Sequence, residues 1–164
     1  MEVGTSSVLM LPHAASSVGV ARRRLIGDLS EAGVFEATAC DAGLVLSELI
    51  SNALRHATPL PGSVVRVAWW LDDDCVEIAV SDGGGPTRPA VREPGHSAIG
   101  GRGLGIVDRL ALRWGVCSPP DGAGETTVWA ELALSPDKPD EHSDAGSSAD
   151  PRPRRLVITS SRDA

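Results

Sequence analysis

Glu48 and Asn52 stand four residues apart in the stretch Leu46-Ser47-Glu48-Leu49-Ile50-Ser51-Asn52-Ala53-Leu54-Arg55-His56-Ala57. A carboxylate can draw a proton from a water or hydroxyl, and a carboxamide oxygen can hold a hard cation. Phosphoryl transfer uses both. Further along come Asp82-Gly83-Gly84-Gly85 and Gly101-Arg102-Gly103-Leu104-Gly105. A carboxylate ahead of a glycine run can accept from an exocyclic purine amine, or from a backbone N–H or water. Glycine-rich turns opening a helix let backbone N–H groups approach a phosphate closely. Taken singly, the Glu–Asn pair reads first as a solvated helix face, and each glycine box as a flexible turn; it is their company that points to chemistry. The second box has no Lys-Ser/Thr after it as a P-loop would, and its glycine spacing is wrong for a Rossmann turn.

These groups need helices, strands and turns to hold them, and the chain supplies candidates for each. Residues 46–57 lack Pro and Gly, so they read as the end of a helix over 36–57 that stops before Pro59. At about 100° per residue, Glu48, Asn52, Arg55 and His56 share one side; Leu46, Leu49, Ile50, Ala53 and Ala57 share the core side. An earlier helix is expected over 14–32, with Val18, Ala21, Leu25, Ile26 and Leu29 buried and Gly33 as its stop. Its Arg22-Arg23-Arg24 cluster reads as a solvated face. Residues 7–11 read as an edge strand closed by Pro12. Residues 64–71 and 76–81 read as a hairpin around Asp72-Asp73-Asp74, a turn rather than a cation site. Val76, Ile78 and Val80 share a strand face that Asp82 continues. Residues 83–101 read as a long loop in the position of a lid, with His96 exposed in it. A short helix is expected over 103–112, then strands over 113–118 and 126–134.

The chain has 164 residues and a net charge of −7. That length suits one domain, and the acidic balance with no aromatic-interleaved basic block argues against nucleic acid. Cys40, Cys75 and Cys117 show no metal-ligand spacing and read as buried thiols in a reducing compartment. Neither a signal peptide nor a run of transmembrane length is seen, so no membrane partner and a cytoplasmic location are expected. From residue 135 the composition turns to Pro, Asp, Ser and Arg. The expected organisation is a flexible start at 1–6, a domain at 7–134, and a disordered tail at 135–164. Within that tail, Arg152, Arg154 and Arg155 precede Leu156-Val157-Ile158, a short segment that could dock.

Together the boxes resemble those of the GHKL, or Bergerat-fold, ATP-binding domain, most closely its stand-alone anti-sigma factor serine kinase branch. Residues 48–57 look like the N box, Asp82-Gly83-Gly84 like the first glycine box, and 101–107 like the second. Gly124-Glu125-Thr126-Thr127-Val128-Trp129 resembles the closing strand motif. The resemblance implies an α/β sandwich (α+β), with a mixed, mostly antiparallel sheet covered on one face by helices. It implies ATP and Mg²⁺ as cofactors, with Asn52 on the metal and Glu48 as general base. Asp82 would accept from the adenine amino group, and Gly84 would let the ring approach. Gly101, Arg102, Gly103, Leu104 and Gly105 would cradle the phosphates, and Thr127 would lie beside the adenine. His56 would shape the site. The implied activity is phosphorylation of a Ser or Thr on an anti-sigma antagonist. A sigma factor is a further implied partner, and a homodimer an implied assembly. The alternative is a non-catalytic, nucleotide-responsive module that sequesters a partner. Pro86 stands where the first box would have another glycine, and Glu125 where Lys is frequent. No phosphoacceptor-histidine helix pair precedes the boxes, so an autophosphorylating sensor is not expected.

Overall fold

The computed structural model describes residues 5–86, 103–119 and 124–134. The apolar stripes of two long helices and one short one meet one face of a five-stranded sheet. The chain runs β1 (Thr5–Pro12), α1 (Ser16–Glu31), α2 (Glu36–His56), β2 (Val64–Leu71), β3 (Cys75–Asp82), α3 (Gly103–Leu110), β4 (Arg113–Cys117) and β5 (Thr126–Ala133). The sheet order is β1-β2-β3-β5-β4. All four pairings are antiparallel, so the parallel pairing that a mixed sheet needs is not found among the described residues. The last strand inserts between β3 and β4.

Alternation along the strands decides what each face carries. Val65, Val67, Trp69 and Leu71 of β2 face the helices with Val76, Ile78 and Val80 of β3 and Val128, Ala130 and Leu132 of β5. Ala21, Leu25 and Leu29 of α1 meet them, as do Val45, Leu46, Leu49, Ile50 and Ala53 of α2. Val18 and Ile26, expected in the α1 stripe, are only partly buried against this core. Gly33, at φ +81°, ends the first helical segment as expected. Asp72 Oδ1 accepts from Asp74 N–H and Cys75 N–H at 2.9 and 2.8 Å, the self-bonded turn that three aspartates favour. Cys40 is exposed, and Cys75 and Cys117 are half-buried, so the thiols are less buried than the sequence suggests. Burial, the Glu131 and Asp72 charges, a hydrogen bond with Asp72 and the Glu77 charge push the Cys75 thiol up to about 12, leaving it unreactive.

One carboxylate ties α1 to the sheet. Asp28 Oδ2 accepts from Ser7 Oγ–H of β1 at 2.9 Å and from Trp69 Nε1–H of β2 at 3.1 Å. Its Oδ1 accepts from Arg24, one turn back, at 3.0 Å. Trp69 is fully buried, so removing the acceptor strands its indole N–H in the core. Asp28→Ala is therefore expected to cost about 2–3 kcal/mol, read as a lower urea midpoint with an unchanged slope. Arg22, Arg23 and Arg24 are exposed, the solvated face the sequence suggests.

Candidate functional site

The site lies where the C-terminal end of α2 meets the C-terminal end of β3. α2 carries Glu36 in its first turn and Arg55 in its last, each charge matched to the helix dipole. Glu48 and Asn52 are both half-buried on the side away from the core, one turn apart. Beyond the helix end, backbone bonds tie Thr58 to the glycine run: Thr58 N–H donates to the Gly84 carbonyl at 2.8 Å, and Gly83 N–H to the Thr58 carbonyl at 2.8 Å. The Thr58 hydroxyl donates to the same Gly84 carbonyl at 2.9 Å. The helix bearing Glu48 and Asn52 is thereby held against the strand bearing Asp82.

Three consecutive glycines are needed for that approach. A Cβ on Gly83 would strike the Pro59 carbonyl, and one on Gly85 the His56 carbonyl. At Gly84, φ is +83° and a Cβ would stand 2.6 Å from the Gly124 carbonyl. The glycines are thus already required by the polypeptide's own packing, a demand beyond the ring approach that the resemblance implies. Gly84→Ala should cost about 2–3 kcal/mol of stability through strain and collision. A thermal-melt comparison checks it.

Asp82 is 3 % exposed and ends the core-facing row that begins at Val76. Its Oδ1 accepts from Gly84 N–H at 2.8 Å, so the backbone partner weighed in the sequence is present for one oxygen. Burial raises the Asp82 carboxyl above its usual range; the Gly84 bond and nearby His13 pull it back, and Glu125 pushes it up. A buried carboxylate held this way is an acceptor whose charge is poorly solvated, and a polarised N–H arriving from a ligand would relieve that.

The closing strand differs from the expectation at one residue. Asp82 pairs with Thr126, and Ser81 with Thr127. Period-two alternation therefore puts Thr126 on the Asp82 face and turns Thr127 to the other, where its Oγ1 lies 2.6 Å from Ser81 Oγ. A Cβ on Gly84 would also stand 3.5 Å from Thr126 Oγ1. Two adjacent threonines give no sequence signal for which faces the helices; only the register decides.

Gly101 and Arg102 lie outside the described residues, as does His96. Gly103 opens α3, Leu104 is buried in the core, and a Cβ on Gly105 would meet nothing within 4 Å. Leu104 therefore anchors the helix start, and Gly105 leaves open space beside it. His56 is exposed, and it is its carbonyl that abuts Gly85. Glu125, which stands where Lys is frequent in the resembled branch, bonds through its carboxylate to Arg66, whose Nη2 also donates to Ser81 Oγ at 3.3 Å. Among the described residues no three His, Cys, Asp or Glu side chains gather as a metal cluster, and no helix is long and apolar enough to cross a membrane.

Comparison with known proteins agrees with this geometry. The solved RsbU and RsbW domains of Rv1364c from Mycobacterium tuberculosis are similar in fold, with a TM-score of 0.61 at 23 % identity. The match covers 79 % of this chain and 32 % of that one, so this chain spans about a third of that solved chain's length. No curated protein matches the sequence. The model of the histidine kinase-like ATPase domain matches residues 11–130, from the end of β1 to the middle of β5. With its helices on one face of an antiparallel sheet and that match running over most of its length, the chain belongs to the histidine kinase-like ATPase domain family.

Proposed function

We propose that this domain binds Mg²⁺-ATP and transfers its γ-phosphoryl group to a Ser or Thr of a partner protein, an anti-sigma antagonist. The observation that carries the proposal is the Asp82 carboxylate, buried at a strand end and laced through Gly83 and Gly84 to the helix bearing Glu48 and Asn52. Family membership supports ATP as the nucleotide. In this reading Asp82 takes the adenine amino group, with Thr126, rather than Thr127, on its side of the sheet. The N–H groups in the first turn of α3 would take the phosphates.

The donor set suits Mg²⁺, which keeps several waters and is held through few protein oxygens plus substrate phosphates. Asn52 would hold it, and it would supply neutralisation of phosphate charge. Glu48, on the same helix side, would take the proton from the attacking hydroxyl as that oxygen bonds to the γ-phosphorus and ADP departs. The chain's work is to position these groups and exclude competing water.

Radiolabelled phosphotransfer from ATP to a candidate antagonist tests the proposal. Transfer to Ser or Thr is the expected result. Saturable ATP binding with no transfer to any antagonist would favour the non-catalytic module that sequesters its partner. Loss of both would remove the nucleotide reading.

A further inference from the structure

The ladder between β3 and β5 ends at the pair Asp82 and Thr126, so Gly124 and Glu125 lie just beyond it. No pairing of the described sheet holds these two residues, yet Asp82 depends on where they sit. Gly84, whose N–H donates to Asp82 Oδ1, passes so near the Gly124 carbonyl that a Cβ on it would stand 2.6 Å away. If that carbonyl moved off, Gly84 would be free to follow, and with it the bond that orients the carboxylate.

The stretch is held by a side chain two strands away. Arg66 of β2 stands opposite Ser81 of β3, and Ser81 opposite Thr127 of β5, so the three form one row across the sheet. Alternation turns this row away from the helices, one residue along from Asp82 and Thr126, which face them. Ser81 and Thr127 are buried, and their hydroxyl oxygens lie 2.6 Å apart. Arg66 Nη2 donates to Ser81 Oγ at 3.3 Å and also to the Glu125 carboxylate. One guanidinium on β2 thus reaches over β3 and grips the residue that precedes β5.

We propose that Arg66, acting through Glu125, is a positioning residue for nucleotide recognition, a role that rests on Asp82 being the acceptor for the adenine amino group. The pair fixes Gly124 and Thr126 around Asp82 and Gly84, and so sets the angle at which the carboxylate meets the base. Both partners are half-buried, and an ion pair so placed contributes little to stability. Its worth lies in direction, because charge-assisted bonds from a planar guanidinium hold their acceptors in a defined geometry. The charge is balanced as well. Glu125 alone pushes the Asp82 carboxyl up, and the Arg66 guanidinium beside Glu125 offsets that push, so the tether leaves Asp82 able to accept.

Calorimetric titration of the full chain with Mg²⁺-ATP and with Mg²⁺-inosine triphosphate tests this, since inosine carries a carbonyl where adenine has its amino group. Arg66→Met and Glu125→Gln are each expected to weaken ATP binding roughly 10-fold and inosine triphosphate binding far less, so the preference for ATP narrows. Thermal melts should barely change. The double swap of Arg66→Glu with Glu125→Arg restores a pair of opposite charges and should recover most of the preference, which a general loosening of the fold would not do. Single variants that keep the wild-type preference would overturn the proposal, and so would a swap that recovers none of it. A wild type that takes inosine triphosphate as readily as ATP would remove the reading of Asp82 itself, and this role with it.

Discussion

Asp82→Asn is expected to weaken nucleotide binding about 100-fold or more while leaving the empty protein at least as stable as the parent. The two halves have one cause. Gly84 N–H donates to Oδ1, so an amide at this position keeps its oxygen there and turns its NH₂ toward the ligand. The adenine amino group then meets a donor where it needs an acceptor. Without ligand, the native carboxylate is a liability because burial raises its pKa. At pH below the ordinary Asp value both folded and unfolded chains hold the proton, and no penalty exists. As pH rises, the unfolded chain releases its proton first, so stability falls through the interval up to the raised folded value and stays lowered above it. The variant has no such fall. Calorimetric titration with Mg²⁺-ATP and thermal melts from about pH 4 to pH 7 check both halves. A variant that binds normally would remove Asp82 from nucleotide recognition.

Glu48→Ala should separate chemistry from binding. The residue is half-exposed on α2, away from the core, and Ala is the best helix former, so stability should change by less than about 0.5 kcal/mol. Glu48 makes no adenine contact in the proposed arrangement, so nucleotide affinity should hold. Phosphotransfer should drop roughly 10²- to 10⁴-fold, the range for losing a positioned general base. Glu48→Gln should fail nearly as badly, because it keeps shape and loses the proton acceptor. Single-turnover transfer alongside calorimetry measures both quantities. Undiminished transfer by the alanine variant would mean that another group takes the hydroxyl proton.

Much of this arrangement is legible in the sequence, because periodicity is local. The Val76, Ile78, Val80 row led to Asp82 on the core side by simple alternation, and the structure keeps it there. The 36–57 helix and the β2–β3 hairpin fall within a residue or so of their expected bounds. What eluded the sequence depends on partners far along the chain. Thr126 and Thr127 are interchangeable until pairing with Asp82 and Ser81 fixes their faces. Nothing local in the sequence marks Asp28, on which Ser7 and Trp69 converge from two strands. The demand for Gly83 and Gly85 comes from the carbonyls of Pro59 and His56, which periodicity cannot place.

The strand order β1-β2-β3-β5-β4 has a consequence for how the protein is made. β4 joins this sheet only through β5, and β5 is the last of the five described strands to leave the ribosome. Until Thr126–Ala133 emerges, β3 presents a bare edge, and Asp82 lacks the strand that closes its flank. A nascent chain stalled before that point carries every box but the last and still has no finished pocket. It also shows neighbouring chains an open row of backbone donors and acceptors, the state most prone to misassociation. The nucleotide can therefore stabilise only completed molecules, which makes its binding a report on synthesis carried to the final strand.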